Sequence, residues 1–251
     1  ELTATTGGDA ASLAHVFYDN VKLTLTDAGP TARVQVIHNS ADAAASLVDV
    51  YLDGELALND FAFRTASPFI DVPAGTPISV AVAPSNSTSV ADAIATFPYT
   101  LADGETYVLV AEGIVSPSGY DPLTAFGIAV YNMGQEAAAT AGNTDVLVHH
   151  GSTDAPTVDV NNETGPGPST VLVNDISYGE FDGYLALPTA DYTINISTNG
   201  TGNTVVESYD APLATLGLDD AAIVVVASGF LDPSVNSNGP AFGLWVALPA
   251  G

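Results

Sequence analysis

The chain has 251 residues, 47% of them hydrophobic, no cysteine, and 29 acidic residues against three basic ones, for a net charge of −26. That balance excludes ordinary binding to a phosphate backbone, which needs clustered Lys and Arg to replace counterions, and it disfavours anionic membrane surfaces. The length fits one large domain or two ordinary ones, and the missing cysteine excludes disulfides and thiolate metal sites.

The acid is mostly aspartate, 21 Asp against 8 Glu. Aspartate suits turns, where its short side chain bonds nearby backbone. So few cations point to a saline habitat, where salt screens self-repulsion, or to an acidic one. The longest apolar run, residues 221–227, is far short of the roughly 18 residues a membrane span needs.

Residues 1–30 read as an N-terminal extension. Residues 1–12 are small and polar, and Val16 and Tyr18 follow in a short stretch that resembles Ile128-Ala129-Val130-Tyr131. Val21-Lys22-Leu23-Thr24-Leu25-Thr26 then alternates cleanly, one apolar face and one polar face. An amphipathic strand on a leader is what strand donation between subunits requires. Val16, Tyr18, Val21, Leu23 and Leu25 are therefore the donor-strand candidates. In cis, the same strand would extend its own first domain. A third reading makes Phe17-Tyr18-Asp19-Asn20-Val21 the end of a preceding domain, since it is similar to the final strand of some carbohydrate-binding jelly rolls.

The rest of the chain says nearly the same thing twice. Ile37-His38-Asn39-Ser40-Ala41-Asp42 returns as His149-His150-Gly151-Ser152-Thr153-Asp154, and Val48-Asp49-Val50 as Val158-Asp159-Val160. Asn59-Asp60-Phe61 returns as Asn174-Asp175-Ile176, and Ala125-Phe126-Gly127-Ile128 as Ala241-Phe242-Gly243-Leu244. A period this long is a duplicated domain rather than a solenoid unit. Within each copy, Val34-Val36, Val48-Val50-Leu52, Ile78-Val80-Val82 and Ile194-Ile196 alternate as half-buried strands do. The continuous apolar runs at 107–111 and 223–227 predict fully buried central strands. Turn signals such as Asp53-Gly54 and Asp103-Gly104 punctuate them. Ala41–Ser46 and Glu136–Ala141 are weak helix candidates. The predicted fold is all-β: two tandem antiparallel β-sandwiches, Ig-like or jelly-roll-like, at 31–131 and 145–251, joined by a linker at 132–144.

Arg33-Val34-Gln35-Val36-Ile37-His38-Asn39-Ser40-Ala41-Asp42-Ala43, with Val48-Asp49-Val50-Tyr51-Leu52-Asp53-Gly54 after it, resembles a prokaryotic family of exported domains of unknown function. The family's signature runs roughly R-V-x-V-x-H-x-S-P-D-A-P-x-V-D-V-Y-x-D-G. The second copy matches at His150, Ser152, Asp154-Ala155-Pro156 and Val158-Asp159-Val160. It departs at Asn161–Pro168, where Y-x-D-G is missing. The resemblance implies β-sandwiches at the cell surface or in the extracellular matrix, and no activity.

Chemistry is thin. His38 and His150 are each followed by Ser and Asp, but local spacing does not build a catalytic triad, and no G-x-S-x-G elbow occurs. These residues read as a strand end, with Ser and Asp bonded to the following turn and the imidazole on a buried carbonyl. His149 and His150, adjacent on a strand, point to opposite faces and do not share a metal. Calcium is the one candidate cation, with Asp42, Asp49, Asp53, Asp154 and Asp159 as oxygen donors and Asp219-Asp220 near a loop; solvated turn carboxylates are the plainer reading. Paired carboxylates for glycoside hydrolysis lack the aromatic cleft that sugars use, and Trp245 reads as core or interface. Asn86, Asn162, Asn195 and Asn199 head glycosylation sequons.

The expectation is a non-enzymatic extracellular structural protein that requires no cofactor. It is a filament or surface-layer subunit joined head-to-tail to copies of itself by the N-terminal strand. The alternative is a monomeric cell-surface adhesion or glycan-binding module. No nucleic acid and no membrane span enter either reading.

Overall fold

A computed structural model describes residues 29–166, 170–199 and 204–251. Val16, Tyr18, Val21, Leu23 and Leu25 lie outside the described residues. The predicted strands form, and the fold is all-β. The first repeat holds β1 (Thr31–His38), β2 (Leu47–Leu52), β3 (Glu55–Ala62), β4 (Thr65–Ala66), β5 (Ile70–Pro73), β6 (Pro77–Pro84), β7 (Ala95–Thr100), β8 (Thr106–Glu112) and β9 (Gly127–Tyr131). The second holds β10 (Asn143–His150), β11 (Val158–Thr164), β12 (Thr170–Ile176), β13 (Phe181–Pro188), β14 (Asp191–Thr198), β15 (Val205–Pro212), β16 (Ala222–Ser228) and β17 (Gly243–Ala247). Ala43–Ala45 forms a 3-10 turn capped by Asp42, whereas Glu136–Ala141 forms no helix. No described helix is long and apolar enough to cross a membrane.

Each repeat folds into two sheets. In the first they run β4-β1-β8-β9, with β5 also on β1, and β3-β2-β6-β7; in the second, β13-β10-β16-β17 and β12-β11-β14-β15. Val34, Val72, Ile78 and Leu109 pack between the first pair, and Val146, Tyr192 and Ile223 between the second. The sheets are antiparallel except at the centre. β1 pairs β8 in parallel, and β10 pairs β16 in parallel. Period-2 alternation is the same for both pairings, so the pattern does not distinguish them.

The sheets carrying β1 and β10 also pack on each other. Ile37, Phe69, Val108 and Val110 of the first sandwich form one buried cluster with Leu147, Val224, Val226 and Ala247 of the second. β8 is therefore apolar on both faces, one toward its own core and one toward the neighbouring sandwich. Polar groups at this interface are matched across it. Gln35 Nε2 donates to Leu248 O at 2.6 Å, and Asn39 Nδ2 to Gly151 O at 2.8 Å. A Cβ at Gly151 would overlap Asn39 Nδ2, so any side chain here would have to displace the Asn39 amide.

One charged contact is sealed inside the interface. His149 Nε2 donates to Glu112 Oε2 at 2.8 Å, with the side chains 0% and 7% exposed, and Phe181 lies against the imidazole at 4.2 Å. Removing one partner of such a pair leaves the other buried and uncompensated. His149→Ala, which strands the buried Glu112 carboxylate, should therefore cost about 3–5 kcal/mol. Glu136→Ala, which removes the exposed partner of Arg33, should cost less than about 1 kcal/mol. Urea denaturation of the two full-length variants measures the contrast, and equal losses would contradict it.

Candidate functional site

The recurring polar residues prove to be braces of the fold. His38 Nε2 donates to Ala45 O at 2.6 Å and His150 Nε2 to Pro156 O at 3.1 Å. Burial lowers the pKa of both imidazoles, and these bonds oppose the shift only in part. Ser40 and Ser152 donate to Gly113 O and Gly229 O at 2.6 and 2.7 Å. Asp42 accepts from the amides of Val115 and Ser116 at 2.8 and 2.6 Å, from Ser116 Oγ and from the Tyr120 hydroxyl. Asp154 does the same for the amides of Leu231 and Asp232.

The Val-Asp-Val motif has a matching task. Asp49 accepts the amide of Asp60 at 3.0 Å, and Asp159 that of Asp175 at 2.8 Å. Asp60 and Asp175 sit in left-handed backbone with φ of 53° and 56°. Each Asp thus fixes a kink in the adjacent strand. Asp53 accepts the amide of Ser79 at 2.7 Å. The five calcium candidates each serve a different local turn or kink. Among the described residues no group of three His, Cys, Asp or Glu side chains is placed to hold a metal ion.

The sequons are placed unequally. Asn86 and Asn199 are exposed. Asn195 is half-buried in β14 and bonded to Glu163 and Ser208. Asn162 is 3% exposed, so a folded chain offers no room for a glycan there.

What distinguishes the repeats lies inside the second sandwich. A cavity of about 490 Å³ runs between its sheets, lined by Val148, Val160, Leu185, Ile194, Leu213 and Leu244, among others. The corresponding space in the first sandwich is about 40 Å³. The strand registers show where the two interiors differ. Tyr99 faces Ile78 across β6 and β7, where the second repeat sets Ala211 against Tyr192 across β14 and β15. Tyr107 faces Val34, where the second repeat sets Ile223 against Val146. Tyr99 and Tyr107 of the first sandwich are thus an alanine and an isoleucine in the second, while Ile78 is replaced there by Tyr192.

The cavity has a mouth. β12 and β13 close one side of the sandwich, and β15 and β17 are the edge strands on the other. Lining residues there reach solvent: Val246 is 52% exposed, Leu216 63% and Leu248 39%. Native interiors contain few voids larger than a water molecule, whereas sites for apolar occupants typically enclose about 300–1,000 Å³. This open, aliphatic groove is the candidate binding site. Sequence reasoning did not find it, because an alanine in an alternating strand is unremarked until its ladder partner is known. Comparing inward positions of the repeats would have exposed it.

No curated protein matches the chain. A family model described as a domain of unknown function (DUF4397) matches residues 32–161 and again residues 144–234.

Burial works against the Asp42 charge, but the amides of Ala44 and Ser116 and the hydroxyls of Ser116 and Tyr120 outweigh it, so its pKa is lowered. A lowered folded-state pKa contributes stability above the unfolded value of about 3.9, lost as pH falls through the folded value. Asp42→Asn should be less stable than wild type at pH 7, and the gap should close below about pH 4 in urea titrations. Ala211→Tyr should fill the groove, abolish binding of a hydrophobic fluorescent dye and leave the fold intact. Tyr99→Ala should open the first sandwich, create dye binding there and cost about 3 kcal/mol.

The two family matches together run from residue 32 to residue 234, short of β17, and the chain belongs to this family as a tandem of two copies.

Proposed function

We propose that the chain is an extracellular structural subunit that assembles head-to-tail, each second sandwich taking the N-terminal strand of a neighbouring copy. The observation that carries this reading is the open aliphatic groove between β15 and β17, present in one sandwich and plugged in the other. An unpaired sheet edge beside an apolar groove is a template for an added strand, whose backbone bonds give affinity and whose alternate side chains fill the groove. Val21, Leu23 and Leu25 form a stripe of that kind, and six residues from Val21 to Thr26 extend about 20 Å. β15, at eight residues, is long enough to receive them.

One acceptor and one donor per chain make a heterologous, head-to-tail contact, which extends as an open chain of subunits where its rotation does not close. The glycan-binding alternative would call on exposed aromatic platforms; Trp245 is 44% exposed, with the Arg64 guanidinium over its ring at 4.5 Å.

Electron microscopy and light scattering of the full chain should show filaments. The full-length double variant Leu23→Asp with Leu25→Asp should remain monomeric, and Ala211→Tyr should do the same from the acceptor side. Monodisperse monomers of the wild-type chain across salt and calcium concentrations would overturn the proposal.

A further inference from the structure

Resting on that reading, the geometry points to Arg64 as the anchor that receives a carboxylate of the incoming strand, Asp19 or Asp27, and so sets the strand's direction in the groove. Arg64 stands at the end of the groove marked by Tyr209 and Phe242. Its Nη2 donates to Ala241 O at 2.7 Å and to Ser228 O at 3.0 Å, and its Nε to Ser228 Oγ at 3.1 Å. Ala241 directly precedes Phe242, which lines the cavity. Val246 borders both the cavity and the small cleft that holds Arg64 and Trp245. Tyr209, another lining residue, is electrostatically coupled to the guanidinium.

Three features of Arg64 point outward to a ligand. First, in a chain with 29 acidic residues, no described carboxylate lies within ion-pairing distance of it, while Arg33 holds both Glu136 and Asp71. Second, its Nη1 donates to no described residue, leaving part of the fork that suits a carboxylate unused. Third, it occupies left-handed backbone at φ 64°, where the second repeat has Gly179 at φ 82°. A non-glycine residue held there costs about 1–3 kcal/mol, and such strain concentrates where function requires the side chain. The rings of Phe63 and Trp245, 4.8 and 4.5 Å from the guanidinium, hold it as a rigid plane.

The incoming strand offers the complement. Asp19, Val21, Leu23, Leu25 and Asp27 alternate along one face of an extended chain, an apolar stripe bracketed by two carboxylates. Seating Val21, Leu23 and Leu25 in the groove carries one of the two aspartates toward Arg64, and the strand's direction decides which one. Elsewhere each subunit repels the next, because both carry a large negative charge. Arg64 is the described cation left for an approaching acid.

The test uses a synthetic peptide of residues 16–27 and the full chain made assembly-deficient by Leu23→Asp with Leu25→Asp, with affinity read by calorimetry. The peptide should bind. Arg64→Gln in that chain should weaken it about tenfold, and Arg64→Lys should recover part of the loss. Of the peptides carrying Asp19→Asn or Asp27→Asn, one should lose the same factor against the chain that keeps Arg64. Against the Arg64→Gln chain it should lose nothing further, a coupling that a merely loosened fold does not produce. Equal binding to the Arg64 and Arg64→Gln chains, or no loss with either substituted peptide, overturns the anchor while leaving the donor reading standing. Failure of the peptide to bind at all overturns both. Arg64-dependent binding of palmitate in place of the peptide would assign the groove to a small amphiphile and overturn both as well.

Discussion

The packing of one sandwich on the other is the constraint on which the rest depends. Sheets β4-β1-β8-β9 and β13-β10-β16-β17 meet face to face, and their contacts are reciprocal. Arg64 bonds to Ser228, and at the matching place in the other direction Gly179 sits beside Glu112. Such exchange of equivalent residues is the mark of a two-fold relation between repeats. Near the axis Asn39 meets Gly151, its own counterpart. A side chain at Gly151 would displace the Asn39 amide, so the copies differ where they touch.

The difference spreads outward from the axis as paired compensations. At one corner Glu112 and His149 form a buried charged contact, and Gly179 leaves room for it. At the other corner the equivalents are Ser228 and Ile37, and the space is filled by Arg64 and Trp245 instead. The two corners pair their polar groups with opposite chemistry, an acid on an imidazole at one and a guanidinium on a hydroxyl and carbonyls at the other. One corner encloses its charge completely. The other presents a cation at the rim, beside the edge strand β17. The asymmetry inside the second sandwich accompanies this, since Tyr99 and Tyr107 of the first are an alanine and an isoleucine in the second.

The strands themselves were legible, because Val34 and Val36, or Ile78, Val80 and Val82, can alternate in this way for only one local geometry. So was the structural task of His38, Ser40 and Asp42, since turn-capping chemistry is local. The run at 107–111 announced a strand buried on both faces, yet not that its second cover would be the other repeat. Pairing direction stayed hidden because parallel and antiparallel strands share one period. The groove stayed hidden for a deeper reason. A void is a property of what faces a residue, and Ala211 becomes informative only when Tyr192 is known to oppose it and Tyr99 to occupy the same place in the first copy. Arg64 was counted as one of three cations and nothing more, because its lack of an acidic partner is a fact of three dimensions.

The recurring residues and the differing ones therefore answer different questions. His38 with His150, Asp42 with Asp154 and Asp49 with Asp159 recur because a kink or loop must be held in each copy, and each is already consumed by amides or carbonyls of its own sandwich. Those bonds serve the fold of each sandwich. Arg64 and the groove behind Ala211 are the reverse case: one is a cation without an acid, the other an apolar surface without a cover. Both lie on the flank where β17 ends its sheet, and both exist in one copy only. The repeats differ in sequence at their two-fold contact, and the unfilled valence of Arg64 faces outward at a single edge, which gives the tandem a direction that neither sandwich has alone.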